Sequence, residues 1–168
     1  MDKRKERGLK RILTWGFIAG LCAVLAGCSF GAKEPPLTNW GPALSPDGTT
    51  IAFASPGEKG FEIYAQTLAT GERRRLTTNE VDDWAPSWSP QGDRLVFVST
   101  REKNVDLYTL VVDTLVVTRL TSDPADDLNA TWGSNGKILF NSNRSGAWEI
   151  YTIDVTGENL TKVTENSD

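Results

Sequence analysis

Few side chains in this sequence are suited to covalent chemistry. There are two cysteines, Cys22 and Cys28, and no histidine. Without histidine there is no Ser-His-Asp or Cys-His arrangement and no imidazole zinc site. No Gly-x-Ser-x-Gly turn is present to raise a serine nucleophile. What remains is carboxylate and guanidinium: Asp82 and Asp83, then Asp126 and Asp127, with Arg101 and Arg144 at matching intervals. Acidic loops carry the hard oxygen ligands of a divalent cation, but neither has the ligand spacing of an EF-hand loop. Arginine beside carboxylate forms bidentate pairs that lysine does not reproduce. These residue types point to pairing and binding. The chain is not expected to be an enzyme, and no cofactor or metal site is expected. Cys28 stands apart, because it closes an apolar run where its thiol could be modified.

The elements that place Cys28 are N-terminal. Residues 1–11 hold Lys3, Arg4, Lys5, Arg7, Lys10 and Arg11 against Asp2 and Glu6, and residues 12–27 are almost wholly apolar. A basic head followed by an apolar core too short for a comfortable membrane span reads as a secretory signal. The run ends in Leu25-Ala26-Gly27-Cys28, which resembles the lipobox of bacterial lipoproteins. The resemblance implies cleavage before Cys28 and a diacylglyceryl group on its thiol. Two or more acyl chains hold a protein durably at a bilayer. Cys22 would leave with the signal, so the mature chain would have no disulfide despite an oxidising compartment. Ser29 is not the aspartate associated with inner-membrane retention. The expected location is therefore the outer membrane, facing the periplasm, if the cell has one, and otherwise the outer face of the cell membrane. Residues 28–39, with Pro35-Pro36, read as the lipidated cysteine and a flexible tether.

Removing residues 1–27 leaves 12 basic and 20 acidic side chains, a formal charge of −8 over 141 residues. Phosphate backbones need clustered Lys and Arg, so nucleic acid is not an expected partner. The same charge suits a soluble exported domain or a basic partner.

The rest of the chain is repetitive. A shift of 44 residues lays Leu44 on Trp88, Phe53 on Phe97, Tyr64 on Tyr108 and Leu76 on Leu120. A third copy places Trp132, Phe140, Tyr151 and Val163 in the same series, with one residue lost after Gly136. In the middle copy strands are predicted over residues 86–89, 94–99, 105–112 and 116–120. Pro90-Gln91-Gly92 forms the first turn, and Leu95/Phe97 and Val96/Val98 bury both faces of the second strand. Connections this short allow only antiparallel meanders.

A four-stranded repeat of roughly 40–45 residues is the mark of a β-propeller blade. Ala43-Leu44-Ser45-Pro46-Asp47-Gly48, Glu62-Ile63-Tyr64, Thr70-Gly71-Glu72 and Leu76-Thr77 resemble the WD40-like repeat of TolB-type propellers. Trp88-Ser89-Pro90, Asp106-Leu107-Tyr108 and Leu120-Thr121 repeat the resemblance, as do Asn143-Arg144-Ser145-Gly146 and Glu149-Ile150-Tyr151. It implies an all-β fold with blades at residues 40–83, 84–127 and 128–168, three antiparallel repeats forming a partial propeller. Gly133-Ser134-Asn135-Gly136 replaces the Ser-Pro-Asp-Gly turn, predicting a looser hairpin, and Asp113-Thr114-Leu115 replaces a Gly-containing turn.

Closed propellers hold about four or more blades. Three continuations are therefore open: the chain is the anchored front part of a longer protein, copies self-associate to complete a ring, or the arc stays open. In a meander, the loops joining second to third strands share an end with those leading to the next blade. Arg101 and Arg144 are thus expected on the rim that carries Asp82, Asp83, Asp126 and Asp127, pairing across blades. The resemblance implies a protein-binding accessory component of the cell envelope; the alternative is a carbohydrate- or peptide-binding propeller of a degradative or sensing system.

Overall fold

Turn chemistry divides the chain into hairpins, and the computed structural model shows how these hairpins assemble for residues 39–166. Residues 1–38, where the signal segment, the lipidated Cys28 and most of the tether are expected, lie outside the described residues. The first sheet holds β1 (Trp40–Leu44), β2 (Thr50–Pro56), β3 (Phe61–Thr67) and β4 (Arg73–Arg75). The second holds β5 (Asp83–Trp88), β6 (Arg94–Ser99), β7 (Asp106–Val111) and β8 (Val117–Arg119), and the third β9 (Asp127–Trp132), β10 (Ile138–Ser142), β11 (Glu149–Ile153) and β12 (Thr161–Lys162). Each sheet is a four-stranded antiparallel meander in chain order. No helix among the described residues is long and apolar enough to cross a membrane.

The first hairpins close alike. Ser45 N donates to Thr50 O at 2.8 Å and Gly48 N to Ser45 O at 2.9 Å; Ser89 and Gly92 repeat both bonds at 2.9 Å. Gly48 and Gly92 take φ of 72° and 74°, which glycine adopts without steric cost. The third hairpin was expected to be looser, yet it closes with the same two bonds over one residue fewer: Gly133 N to Lys137 O at 2.8 Å and Gly136 N to Gly133 O at 3.0 Å. Asn135 Oδ1 accepts from Lys137 N at 3.1 Å and takes over the turn-stabilising role of the lost aspartate. In the β7–β8 turn, Leu115 occupies the place of Gly71 at φ 59°. A side chain in the left-handed region costs roughly 1–2 kcal/mol, and Leu115 is exposed, so little packing offsets that cost.

β6 spans the expected residues 94–99, but the inner strand beside it departs from its expected bounds. β5 begins at Asp83, ahead of the expected residue 86, because Asp83 and Trp84 pair with Ser99 and Val98 before the register shifts between Trp84 and Ser87. The shift is a bulge with Ala85 at φ 51°; Gly41 (58°) and Asn129 (55°) hold the same repeat position in β1 and β9. A bulge residue in the left-handed region bends and twists its strand. Cα of Ala85 lies 3.5 Å from where a Cβ on Gly41 would stand, so the first two bulges touch.

The sheets pack side by side. β5 lies against β1, β2 and β3, and β9 against β5, β6 and β7. Leu95, Val96, Phe97, Val98, Leu107 and Leu110 of the middle sheet are all fully buried, as alternation on both faces of β6 predicts. Cross-strand aromatic pairs recur at Phe53–Tyr64, Phe97–Tyr108 and Phe140–Tyr151, with ring centroids 5.9–6.2 Å apart. Side-chain bonds join the sheets here: Trp88 Nε1 donates to Ala43 O at 3.0 Å and Trp132 N to Ser87 Oγ at 3.2 Å. Trp84 is buried in the core, whereas Trp40, at the matching position of the first sheet, is largely exposed.

Candidate binding rim

The loops after β2, β6 and β10 and those after β4 and β8 come together at one end of the arc. Thr100 N donates to Asp82 O at 3.2 Å, and Asp127 N to Val105 O at 2.8 Å, each joining the two classes of loop. Gly60 lies so close to the next loop that a Cβ there would meet Val81 O at 2.6 Å. This end is the rim expected from the topology.

Arg101 and Arg144 both reach aspartates. Arg101 Nη2 donates to Asp83 Oδ2 at 2.7 Å and Nε to Ser99 Oγ at 3.2 Å. Arg144 Nη2 lies 2.9 and 3.0 Å from the two oxygens of Asp127, and its Nε donates to Ser142 Oγ at 2.9 Å. Asp83 and Asp127 are fully buried. Each guanidinium also sits over its sheet's aromatic pair, Arg101 at 5.5 and 5.3 Å from Phe97 and Tyr108, Arg144 at 5.4 and 5.1 Å from Phe140 and Tyr151. The pairs are not interblade as expected. Asp83 and Asp127 are the first residues of β5 and β9, so each pair ties the two inner strands of a single sheet. In the first sheet the matching positions are Asn39 and Gly57: both charges are missing together, as the cost of a lone buried charge requires.

The contacts between sheets fall to neighbouring residues. Asp82 Oδ1 accepts from Phe61 N of the first sheet at 2.9 Å; Asn143 Oδ1, by contrast, accepts from Asp126 N at 3.0 Å within the third sheet's own end. Asn79 bridges the first junction, its N donating to Glu62 at 2.8 Å and its Nδ2 to Asp83 Oδ2 at 2.7 Å. Asn104 spans the second junction through Asp123 O and Ala125 O at 2.7 and 2.9 Å.

A second ionic ladder runs along the third strands. Buried Glu62, Asp106 and Glu149, at the starts of β3, β7 and β11 (Glu62 second in its strand, the others first), pair with Arg75 (2.9 Å), Arg119 (2.7 Å) and Lys162 (3.4 Å). A threonine locks each step: Thr77, Thr121 and Thr164 accept from the backbone N of Ile63, Leu107 and Ile150 at 2.9–3.0 Å. Thr77 and Thr164 also donate to Glu62 and Glu149. The acids and the first two threonines stood in the repeated Glu-Ile-Tyr, Asp-Leu-Tyr and Leu-Thr motifs, and the recurrence of an acid two residues before each tyrosine was the available signal. Arg73, Arg74 and Arg75 are more than a charged edge: Arg75 holds Glu62, Arg74 Nη2 donates to Asp113 O at 3.3 Å, and Arg73 lies 3.8 Å above the Tyr64 ring.

The electrostatics follow the partners. Burial pushes the Asp106 carboxyl above the ordinary range, against the pull of Arg119. The Thr164 hydroxyl, then the Asn166 amide, hold Glu149 below it. Burial also raises the Tyr108 phenol, whose hydroxyl is buried without a hydrogen-bond partner among the described residues. Among those residues no group of three or more His, Cys, Asp or Glu is set to hold a metal ion. The rim's ionic groups are therefore spent mainly inward, on strand ends, leaving Glu58, Lys59, Glu80, Glu102, Lys103 and Ser145 exposed on its loops.

Known proteins share this arrangement. TolB of Acinetobacter baumannii superposes with a TM-score of 0.69 at 31% identity, over 76% of this chain and 32% of that one. The Tol-Pal system protein TolB of Methylococcus capsulatus is 58% identical over 36 residues, 21% of this chain and 8% of the relative. A puromycin-hydrolyzing peptidase of Mycobacterium tuberculosis shares the fold alone, with a TM-score of 0.61 at 16% identity over 84% of this chain and 23% of that one. The chain thus spans about a third of the Acinetobacter protein's length. The family model of the TolB beta propeller domain matches residues 32–168. With three antiparallel blades in register and this match over most of its length, the chain belongs to the TolB β-propeller family.

Proposed function

We propose that this protein is an exported, lipid-anchored binding module of the bacterial cell envelope, without catalytic activity, that meets a protein partner through its rim. The observation that carries the reading is the division of labour at that rim. Buried ion pairs fix the strand ends, while the loops above them keep exposed side chains for contact, the usual arrangement of a binding surface on a rigid scaffold. Membership of the TolB family supports a place beside the Tol and Pal proteins. Cys28 supplies the tether, and residues 29–39 give the reach between bilayer and propeller. With no histidine in the chain, the familiar nucleophile–base pairs are missing.

A photo-crosslinking side chain at Lys59 or Lys103 of the full chain, in intact cells, tests the reading. Adducts with Tol or Pal proteins are expected from both positions. A second reading, a peptide- or carbohydrate-binding propeller, is favoured by a groove of about 650 Å³ between the first two sheets at the opposite end, lined by Trp88, Asp47, Glu72 and Arg74 among others. Adducts from Gln91 in that groove, with none from Lys59 or Lys103, would replace the first reading by the second.

A further inference from the structure

The groove of about 650 Å³ between the first two sheets owes its room and its charge to residues that the repeat does not keep. Its first-sheet wall includes Thr50 and Ala65, where the second sheet has the larger Arg94 and Thr109. Asp47 and Glu72 line it from the two turns of the first sheet; their counterparts by repeat are Gln91 and Val116, both neutral. The pair of acids therefore belongs to this junction and not to the blade pattern.

The acids are free to meet a ligand. The Ser45 hydroxyl, then the Thr49 amide, hold the Asp47 carboxyl below the ordinary range, so it stays ionised. Glu72 is exposed, and no cation among the described residues pairs with it. Arg74, the cation that lines the groove, is turned toward Asp113 O at 3.3 Å, which leaves two carboxylates against one guanidinium. Between the charges the lining is apolar, with Ala65, Leu76 and Val112. Trp88 is only 8% exposed and its Nε1 is taken by Ala43 O, so its ring offers no open face on which a sugar could stack. Leu115, on the turn that follows Val112, is 40% exposed at φ 59°, an apolar side chain that a bound segment would cover.

We infer that this groove takes a peptide segment of a protein partner that carries a lysine or arginine between apolar residues. The cation is set against Asp47 and Glu72, and the apolar side chains lie along Ala65, Leu76 and Val112. The volume is that of an ordinary ligand site, roughly 300–1,000 Å³, and complementary charge selects the partner. The inference rests on the groove reading given above, chooses peptide over carbohydrate within it, and leaves the rim free for a separate contact.

The test is fluorescence anisotropy of labelled peptides, acetyl-Gly-Leu-X-Leu-Gly with lysine, glutamine or glutamate at X, titrated with the full chain in mild detergent and corrected for binding to detergent alone. The lysine peptide should bind about tenfold tighter than the glutamine peptide, and the glutamate peptide weakest, with the margin shrinking as salt is raised. Glu72→Val, which copies the second sheet, should cut the lysine advantage several-fold, and Glu72→Lys should abolish it. Both change an exposed side chain, and unchanged circular dichroism would show that the fold is kept. Equal affinity for the three peptides, binding of none of them, or a lysine preference that survives Glu72→Lys would overturn the inference. Binding of a chitin tetrasaccharide in place of the peptides would overturn it in favour of carbohydrate. Crosslinks from Lys59 and Lys103 report on the rim alone, so a failure of either reading shows separately.

Discussion

Arg101→Ala is expected to lower the stability of the folded domain by about 3–5 kcal/mol, because it leaves the fully buried Asp83 carboxylate without its cation. Asn79 Nδ2 still donates to Asp83, which sets the cost toward the lower end. For a domain of this size total stability is of order 5–15 kcal/mol, so the loss should be plain in a urea-unfolding midpoint. Arg101→Lys keeps the charge but loses the two-nitrogen grip on Asp83 and Ser99 and the flat stacking over Phe97 and Tyr108. It should recover only part of the difference. The double variant Asp83→Asn with Arg101→Ala imitates the Asn39 and Gly57 of the first sheet, and it should be more stable than Arg101→Ala alone. If the double variant is the less stable of the two, the buried charge is not what Arg101 serves.

Phe97→Ala is expected to cost a similar ~3–5 kcal/mol through the cavity left in a close-packed core. Phe97 is fully buried, stands 5.9 Å from Tyr108, and lies beneath Arg101, so its loss also loosens the platform under the ion pair. The repeat provides an internal comparison. Phe53→Ala removes the same ring from the first sheet, where one face lacks a described neighbour and Arg73 alone closes over the pair. Its surroundings can collapse more readily, and the expected loss is smaller. Equal losses at the two positions would mean that the middle sheet is no better packed than the end sheet. Thermal and urea unfolding of both variants would decide it.

The residues that were legible in the sequence are those whose chemistry repeats with their position. The Phe–Tyr pairs, the alternation of β6 and the Ser-Pro-x-Gly turns each name a backbone state or a face, and the strands form where those signals fall. The bulges were not legible. Their left-handed residue is Gly41, then Ala85, then Asn129, and no single residue type marks the site; what enforces it is the packing of one inner strand on the next. The displaced start of β5 follows, and with it the transfer of Asp83, and of Asp127 at the matching place in β9, from loops between sheets to strand ends within them. The second ladder was hidden for another reason. Arg75 sits in a run of three arginines, and nothing in that run says that only Arg75 turns toward Glu62 while Arg73 covers an aromatic ring. Side-chain direction on a three-residue edge strand is set by its pairing with Tyr64 and Gln66, which the sequence does not display.

All proposed contacts at the rim depend on the protein being outside the cytoplasm and held at a membrane by Cys28. The most direct measurement is membrane fractionation of the full chain and its Cys28→Ser variant, with mass spectrometry of the N-terminal peptide. The account predicts that the unaltered protein partitions with membranes and begins at a diacylglyceryl-modified Cys28, and that the variant yields no such lipidated peptide. An unaltered chain that begins at Met1 and carries no lipid would contradict it.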